Sequence, residues 1–209
     1  MLIREIMHKN PITISPEIPL CEAYKIMQEK NIRHLPVIQN GKLIGIVTDR
    51  DLRLATSKLA EKPFNPKDSV KEIMSSPVQT AAPSDPIEIA TKIMRELKIS
   101  SLPVLENQKL VGIVTGADLL DAMLKLTGVH RPSGRLDIEL SDRSGELARL
   151  TNIIAKHKVN IHSILTYPEQ DNKIRVVLRI NTMEIKTLAE EICSSGFIVI
   201  WPPHISCAK

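Results

Sequence analysis

Aromatic side chains are scarce in this chain. Tyr24, Phe64, Tyr167, Phe197 and Trp201 are the whole set, 2% of 209 residues. The cores must therefore be aliphatic. A base-stacking platform for single-stranded nucleic acid, which needs several aromatics on one surface, is disfavoured. Charge of one sign is lacking too. Residues 1–131 carry 18 Lys+Arg against 15 Asp+Glu, residues 132–209 carry 10 against 9, and the net charge of +4 is spread thinly. That favours solubility and a weak attraction to anions, not a groove for a phosphate backbone. No segment approaches the ~18 continuous apolar residues of a membrane span. The stretch Met1–Met7 lacks the long apolar core and small-residue cleavage site of a signal peptide. Cysteine is limited to Cys21, Cys193 and Cys207, odd in number, far apart and without metal-ligand spacing. A reducing compartment is the simplest reading of that usage, and a cytoplasmic location is expected. A glycine-rich phosphate loop is missing. His130, His157 and His162 are not at zincin spacing, and Cys21 has no predicted His partner, so neither a metal site nor a nucleophile is expected.

What is present is a duplication. Residues 16–56 align with 83–123 at an offset of 67 with 21 identities in 41 pairs. Unrelated segments would give on the order of two or three at ordinary residue usage. The match extends upstream as Ile3-Arg-Glu-Ile-Met7 against Val70-Lys-Glu-Ile-Met74, with one residue deleted before Pro77. Each copy reads as a short helix ending at Met7 or Met74, a short extended piece (12–14; 78–80), a helix with proline in its first turn (19–30; 86–97), a hairpin and a last helix from Asp49 or Gly116. Ser69 and Glu72 have capping-box spacing. Asn40-Gly41 suits a type I′ hairpin turn because both residues tolerate positive φ; Asn107-Gln108 is a poorer choice there. Met27 and Met94 occupy matching helix positions and read as core. One copy buries too little apolar surface to be comfortable alone. Two packed sheet to sheet about a pseudo-twofold axis would solve that. Residues 57–68 join the copies, and residues 125–135 form a second linker, the expected transmission segment.

The remaining residues have a different grammar. Leu136, Ile138 and Leu140 alternate with polar residues as a half-buried strand. Asp142 can cap a helix with apolar positions Leu147, Leu150, Ile153 and Ile154. Strands near 160–167 and 174–181 follow, then a helix over about 184–194 capped by Thr182 and closed by Gly196, then an apolar strand, Phe197–Trp201. The order βαββαβ is the ferredoxin-like split βαβ. The fold class is α/β (α+β), with expected units 1–62, 63–127 and 133–209.

The chemistry-bearing motif is Thr48-Asp-Arg-Asp51 and its copy Thr115-Gly-Ala-Asp118, each following a strand and opening a helix. A capping box explains the spacing: Thr bonds a backbone N–H and Asp returns the bond. The same geometry suits a nucleotide. A helix N-terminus offers N–H groups and positive dipole to an anion, and Asp can accept the hydroxyls of a ribose. Its recurrence after Gly-Ile-Val in both copies strengthens the second reading.

On these residues, with Ile6-Met7, Pro11, Pro36-Val37 and Gly45–Asp51 in copy one and Ile73-Met74, Pro77, Pro103-Val104 and Gly112–Asp118 in copy two, residues 1–125 resemble a tandem pair of cystathionine-β-synthase (CBS) motifs, a Bateman module. The resemblance implies two clefts for adenosyl ligands: AMP, ADP or ATP, with S-adenosylmethionine and NAD as further candidates. Asp51 and Asp118 would hold ribose, and Thr48 and Thr115 would meet phosphate. Thr13, Ile14, His34, Leu35, Pro36, Val37 and Val47 would line one cleft, and Val78, Thr80, Ser101, Leu102, Pro103, Val104 and Val114 the other. Arg33, His34, Arg50 and Arg53 have no cationic counterparts in copy two, which suits a di- or triphosphate in one cleft or else a solvated helix face. Asp142-Arg143-Ser144-Gly145-Glu146-Leu147, with Val159-Asn160-Ile161 downstream, is similar to the ACT domain, an amino-acid-sensing or dimerising module; that family usually has proline at the place of Ser144. The whole architecture resembles the acetoin-utilisation protein B family. It implies a non-catalytic sensor, a homodimer without nucleic-acid or membrane partners. An enzyme or enzyme subunit of acetoin catabolism and a DNA-binding regulator are the alternatives.

Overall fold

The apolar pattern of the two repeats builds two matching hairpins in the computed structural model, which describes residues 1–203, 205 and 207. In the first repeat, β2 (His34–Gln39) pairs with β3 (Lys42–Thr48) between helices α1 (Leu20–Glu29) and α2 (Asp49–Ala55). The second has α3 (Ile87–Leu97), β4 (Ser101–Glu106), β5 (Lys109–Thr115) and α4 (Gly116–Thr127). Asn40 and Gly41 have φ of 50° and 76°, as the turn requires, and Asn107 and Gln108 adopt the same hand at 50° and 63°. Pro19 and Pro86 stand just outside their helices as N-caps, where a missing N–H costs nothing. Met27 and Met94 are buried, as the pattern predicts.

The start of each repeat belongs to the other one. The expected short helices are single 3-10 turns, Ile3–Glu5 and Val70–Glu72. Ile3, fully buried, packs with Ala81, Ala90, Met94, Leu102, Val104 and Val114. Val70, equally buried, packs with Ile14, Leu20, Met27, Leu35, Val37 and Val47. The backbone repeats the exchange: Ile3 N–H donates to Asp85 O at 2.9 Å and Val70 N–H to Ile18 O at 2.9 Å. Beyond the turn, β1 (His8–Lys9) adds to β5 with His8 opposite Ile113, and Ser75 bridges Ile46 in the same way. All these partners are related by the offset of 67, so the twofold pattern in the sequence is a twofold pattern of contacts. The boundary at 62/63 thus divides sequence copies, while the cores are shared.

Some local expectations shift. The pieces 12–14 and 78–80 do not form strands; the chain makes one parallel bridge in each copy, Ile14 to Val37 and Ala81 to Val104. Ser69 Oγ accepts from the Lys71 N–H at 3.2 Å, whereas the Glu72 N–H goes to Ser69 O, so no reciprocal box forms there. Gly45 and Gly112 are required by close approach. A Cβ on Gly45 would lie 2.4 Å from Met74 Sδ, and one on Gly112 2.6 Å from Met7 Sδ and 3.0 Å from His8 O. The Ile-Met and Gly-Ile-Val segments are one contact read at two places in the chain.

Two compact units are evident, 1–120 and 121–209, with α4 running through the boundary. In the second, β6 (Gly134–Ser141), α5 (Glu146–Lys156), β7 (Ile161–Pro168), β8 (Lys173–Ile180), α6 (Lys186–Ser194) and β9 (Ile198–Trp201) give the βαββαβ order. The antiparallel sheet runs β7-β8-β6-β9. Leu136, Ile138, Leu140, Leu150, Ile154, Leu178, Ile180 and Ile192 form its aliphatic core. Asp142 does not cap α5. Its N–H is used by Asn172 O at 2.8 Å, and Gly145, with φ of 92°, occupies the N-cap. Leu147 points out rather than in, 38% exposed, because the helix starts at Glu146 and turns Leu150 to the sheet. Thr182 Oγ1 accepts from Glu184 N–H at 3.1 Å, but α6 begins only at Lys186. The reading of cysteine is overturned. The tail after β9 turns back, Ile205 enters the core, and Cys193 and Cys207 form a disulfide with Cα atoms 5.0 Å apart. Cysteine usage therefore no longer argues for a reducing compartment, since such bonds persist where conditions oxidise. Among the described residues no helix is long and apolar enough to cross a membrane.

Ile3→Ala tests the exchanged turn. It should cost about 2–5 kcal/mol, the range for a buried Ile or Leu truncation. Ile12→Ala, at a position 38% exposed on the same segment, should stay within about 0.5 kcal/mol, as surface changes do. Urea unfolding of both variants decides.

Candidate functional site

Both Thr–Asp motifs close as boxes. At α2, Asp51 Oδ2 accepts from the Thr48 N–H at 2.9 Å and from Thr48 Oγ1 at 2.7 Å, and the Asp51 N–H returns to Oγ1 at 3.2 Å. At α4 the corresponding distances for Asp118 and Thr115 are 2.7, 2.7 and 3.4 Å. Each carboxylate is thus fixed at a helix N-terminus, where the backbone dipole favours negative charge. The cap holds the acidic group; its remaining acceptor positions are what a ligand could use.

A cavity of about 620 Å³ lies against the α4 motif. Its walls are His8–Ile12, Asn31–His34, Asp49, Ser100 and Ile113, and its floor is the turn Thr115-Gly116-Ala117. Of the residues singled out from sequence it gathers Arg33, His34 and Thr115, and Asp118 joins through His8, whose Nε2 lies 2.9 Å from Oδ1. The site therefore combines cations from one repeat with a helix N-terminus from the other. Ile14, Leu35, Val37, Val47, Leu102, Val104 and Val114 put their side chains into the repeat cores. Pro36, Ser101 and Pro103 are buried in the hairpins beside them; Val78 and Thr80 are half-buried and Thr13 is exposed. Arg50 is exposed and does not line the cavity; Arg53, also exposed, pairs with Asp49 one helical turn back. Thr48 and Asp51 stand at the start of α2 outside the cavity lining.

His8, Lys9 and Asn10 were not foreseen as lining. The signal lies where the repeats lose register: His8-Lys9-Asn10-Pro11 faces only Ser75-Ser76-Pro77 in the second copy. Asp49 and Ser100 come in because the cavity reaches matching elements of both repeats.

In the second unit the expected amino-acid contacts separate. Asp142 is tied to Asn172 at one end of β8, while Asn160 is tied to Asn181 at the other, its N–H donating to Asn181 Oδ1 at 2.7 Å. With Lys173–Ile180 between them, Asn172 and Asn181 are about 31 Å apart at ~3.4 Å per strand residue. Arg143, Ser144 and Gly145 are exposed, and Glu146 pairs with Arg149.

His34 carries the perturbed titration of the cavity. Burial and then the neighbouring Arg33 hold its imidazole below the ordinary value of 6.5, against weaker opposing pulls from Asp49, Asp51 and Asp118; its Nε2 lies 2.7 Å from Ser100 Oγ. A depressed histidine binds its proton less well folded than unfolded, so stability falls as pH drops below about 6.5. His34→Gln should flatten that dependence, measured by urea unfolding between pH 5 and pH 7.5.

A CBS domain model matches residues 3–58 and 70–125, and an ACT domain model matches 134–196. A CBS domain-containing protein of Dictyostelium discoideum is 37% identical over 139 residues, 60% of this chain and 93% of that protein. L-aspartate semialdehyde sulfurtransferase of Methanocaldococcus jannaschii is 38% identical over 56% of this chain, but the chain spans only 22% of that enzyme. Among solved structures, the CBS domain pair of protein MJ0100, in complex with 5′-methylthioadenosine and S-adenosyl-L-methionine, is 34% identical with a TM-score of 0.53, covering 59% of this chain and 95% of that one. CBSX2 in complex with AMP is 27% identical with a TM-score of 0.51, over 59% and 96%. A putative acetoin utilization protein from Vibrio cholerae is 29% identical with a TM-score of 0.52, over 63% and 98%. With both repeats matched over more than half its length, the chain belongs to the CBS domain family and carries a C-terminal ACT domain.

Proposed function

We propose that the chain is a non-catalytic sensor whose CBS pair binds adenine nucleotide. The cavity carries the reading: a helix N-terminus, a fixed carboxylate next to it, and Lys9, Arg33 and His34 around one space of about 620 Å³. Ribose hydroxyls donate to Asp51 and Asp118, and phosphate faces the cations and the α4 N–H groups. The complexes of MJ0100 with two adenosyl ligands and of CBSX2 with AMP support an adenosyl ligand here. Arg33 and His34, rather than Arg50, give the preference for more than one phosphate, because they line the cavity and Arg50 does not.

The ACT unit makes the chain a homodimer. In the sheet order β7 and β9 are the edges, and unpaired edges are either blunted or paired. The β9 edge is partly covered, since the Val199 N–H donates to Cys207 Sγ at 3.2 Å. On β7, Ile164, Leu165 and Tyr167 are exposed. An amino acid touching both the Asp142–Leu147 loop and Asn160 needs the loop of one chain and the Asn160 end of another, given their separation in a single chain. The likeness to the Vibrio cholerae protein supports a place in acetoin utilisation.

Asp51→Ala and Asp118→Ala should each weaken AMP by about 1–3 kcal/mol, the worth of hydrogen bonds to a charged group. Calorimetry on the wild type with no adenine-nucleotide uptake would end the sensor reading. Arg33→Ala should abolish a preference for ATP over AMP. ATP should also bind more tightly at pH 6 than at pH 8, since phosphate beside His34 favours its protonated form; an ATP affinity independent of pH would remove His34 from the phosphate site. Sedimentation equilibrium at tens of micromolar tests the dimer, and a monomer refutes it.

A further inference from the structure

The two Thr–Asp boxes differ at one atom. A carboxylate offers about four acceptor positions. At Asp118, Oδ2 takes the Thr115 N–H and hydroxyl, and Oδ1 lies 2.9 Å from His8 Nε2. At Asp51, Oδ2 takes the same two donors from Thr48, and among the described residues nothing donates to Oδ1. The cause is sequence. His8 sits opposite Ile113, two residues before Thr115, whereas Ser75 holds the matching place opposite Ile46, two residues before Thr48. His8 is 69% exposed at its side chain and can leave, while Asp118 is 11% exposed and held by its cap.

We infer that His8 is a built-in competitor for ribose at Asp118, so that the two clefts load unequally. The inference rests on the reading that Asp51 and Asp118 accept ribose hydroxyls. A nucleoside with a free 2′,3′-diol finds two open positions on Asp51 Oδ1 but must displace His8 to find the same on Asp118. The Asp51 cleft fills first. The Asp118 cleft fills at higher concentration, and its filling frees His8 from the carboxylate. His8 is thus a specificity-determining residue that sets the threshold of one site.

Calorimetry of the full chain with AMP tests this. The wild type should show two unequal sites. Asp51→Asn should remove the tighter one. In that background His8→Ala should tighten the remaining site about tenfold, the change that one hydrogen bond to a charged group brings. His8→Gln, which keeps a donor, should gain less. The gain should vanish for 2′,3′-dideoxyadenosine monophosphate, which has no hydroxyls to compete; a packing effect of the substitution would act on both ligands. Melting temperatures check that each variant is folded. Should Asp51→Asn unfold the chain, the weaker site of His8→Ala alone is compared with that of the wild type. Two equal wild-type sites, a His8→Ala site that is unchanged or weaker, or an equal gain with the dideoxy ligand overturns the inference while leaving nucleotide binding intact. No uptake of AMP by the wild type or by His8→Ala overturns the nucleotide reading itself, and this inference with it.

Discussion

Ile3 and Val70 each complete the core of the other repeat, and the clefts depend on that exchange. The turn that carries Ile3 leads into His8 and Lys9, which add to β5 and form a wall beside Thr115. Without the exchange β5 would keep an open edge and Asp118 would lose its contact with His8. The hydrophobic anchor and the polar wall are a few residues apart in one segment. Packing of the first therefore fixes the position of the second, and stability and binding geometry share one cause.

The Thr–Asp boxes sit one level above this. A cap of this kind stabilises a helix by about 1 kcal/mol whether or not anything binds. It also leaves a carboxylate immobile at a helix start, with its charge favoured by the dipole. A ligand meeting such a group does not have to order it first, which removes part of the entropic cost of association. The structural and binding roles of Asp51 and Asp118 are one arrangement, so a repeat that needs the cap for folding carries the acceptor with it.

The duplication made the fold of the repeats legible, because an offset of 67 relates the strands, the helices and even the backbone bonds between copies. The Thr48 and Thr115 caps and the Asn40-Gly41 turn could be placed from their side-chain chemistry alone. The exchange was not legible: Ile3 and Val70 align with each other in sequence, and alignment does not say whose core a residue enters. For the same reason Arg33 and His34 were grouped with Asp51, while the cavity puts them beside Thr115. His8 lies where the repeats lose register, and positional comparison carries least there. The disulfide escapes the sequence pattern for a related reason. Cys193 and Cys207 are 14 residues apart, and only the reversal of the chain after β9 brings them together. At α5, propensity pointed to Asp142 as the cap, but its N–H is engaged by the Asn172 carbonyl and Gly145 supplies the conformation the turn needs.

The shared cores also set an order of events during synthesis. Ile3 is synthesised about a hundred residues before its partners Leu102, Val104 and Val114. At roughly 5–20 residues per second, the first turn waits several seconds with its apolar side chain unpartnered. Val70 meets a first hairpin already made. The two halves of a symmetric object are therefore built asymmetrically in time: the first repeat can close as soon as Val70 emerges, and the second only by reaching back to the Ile3 turn made long before it.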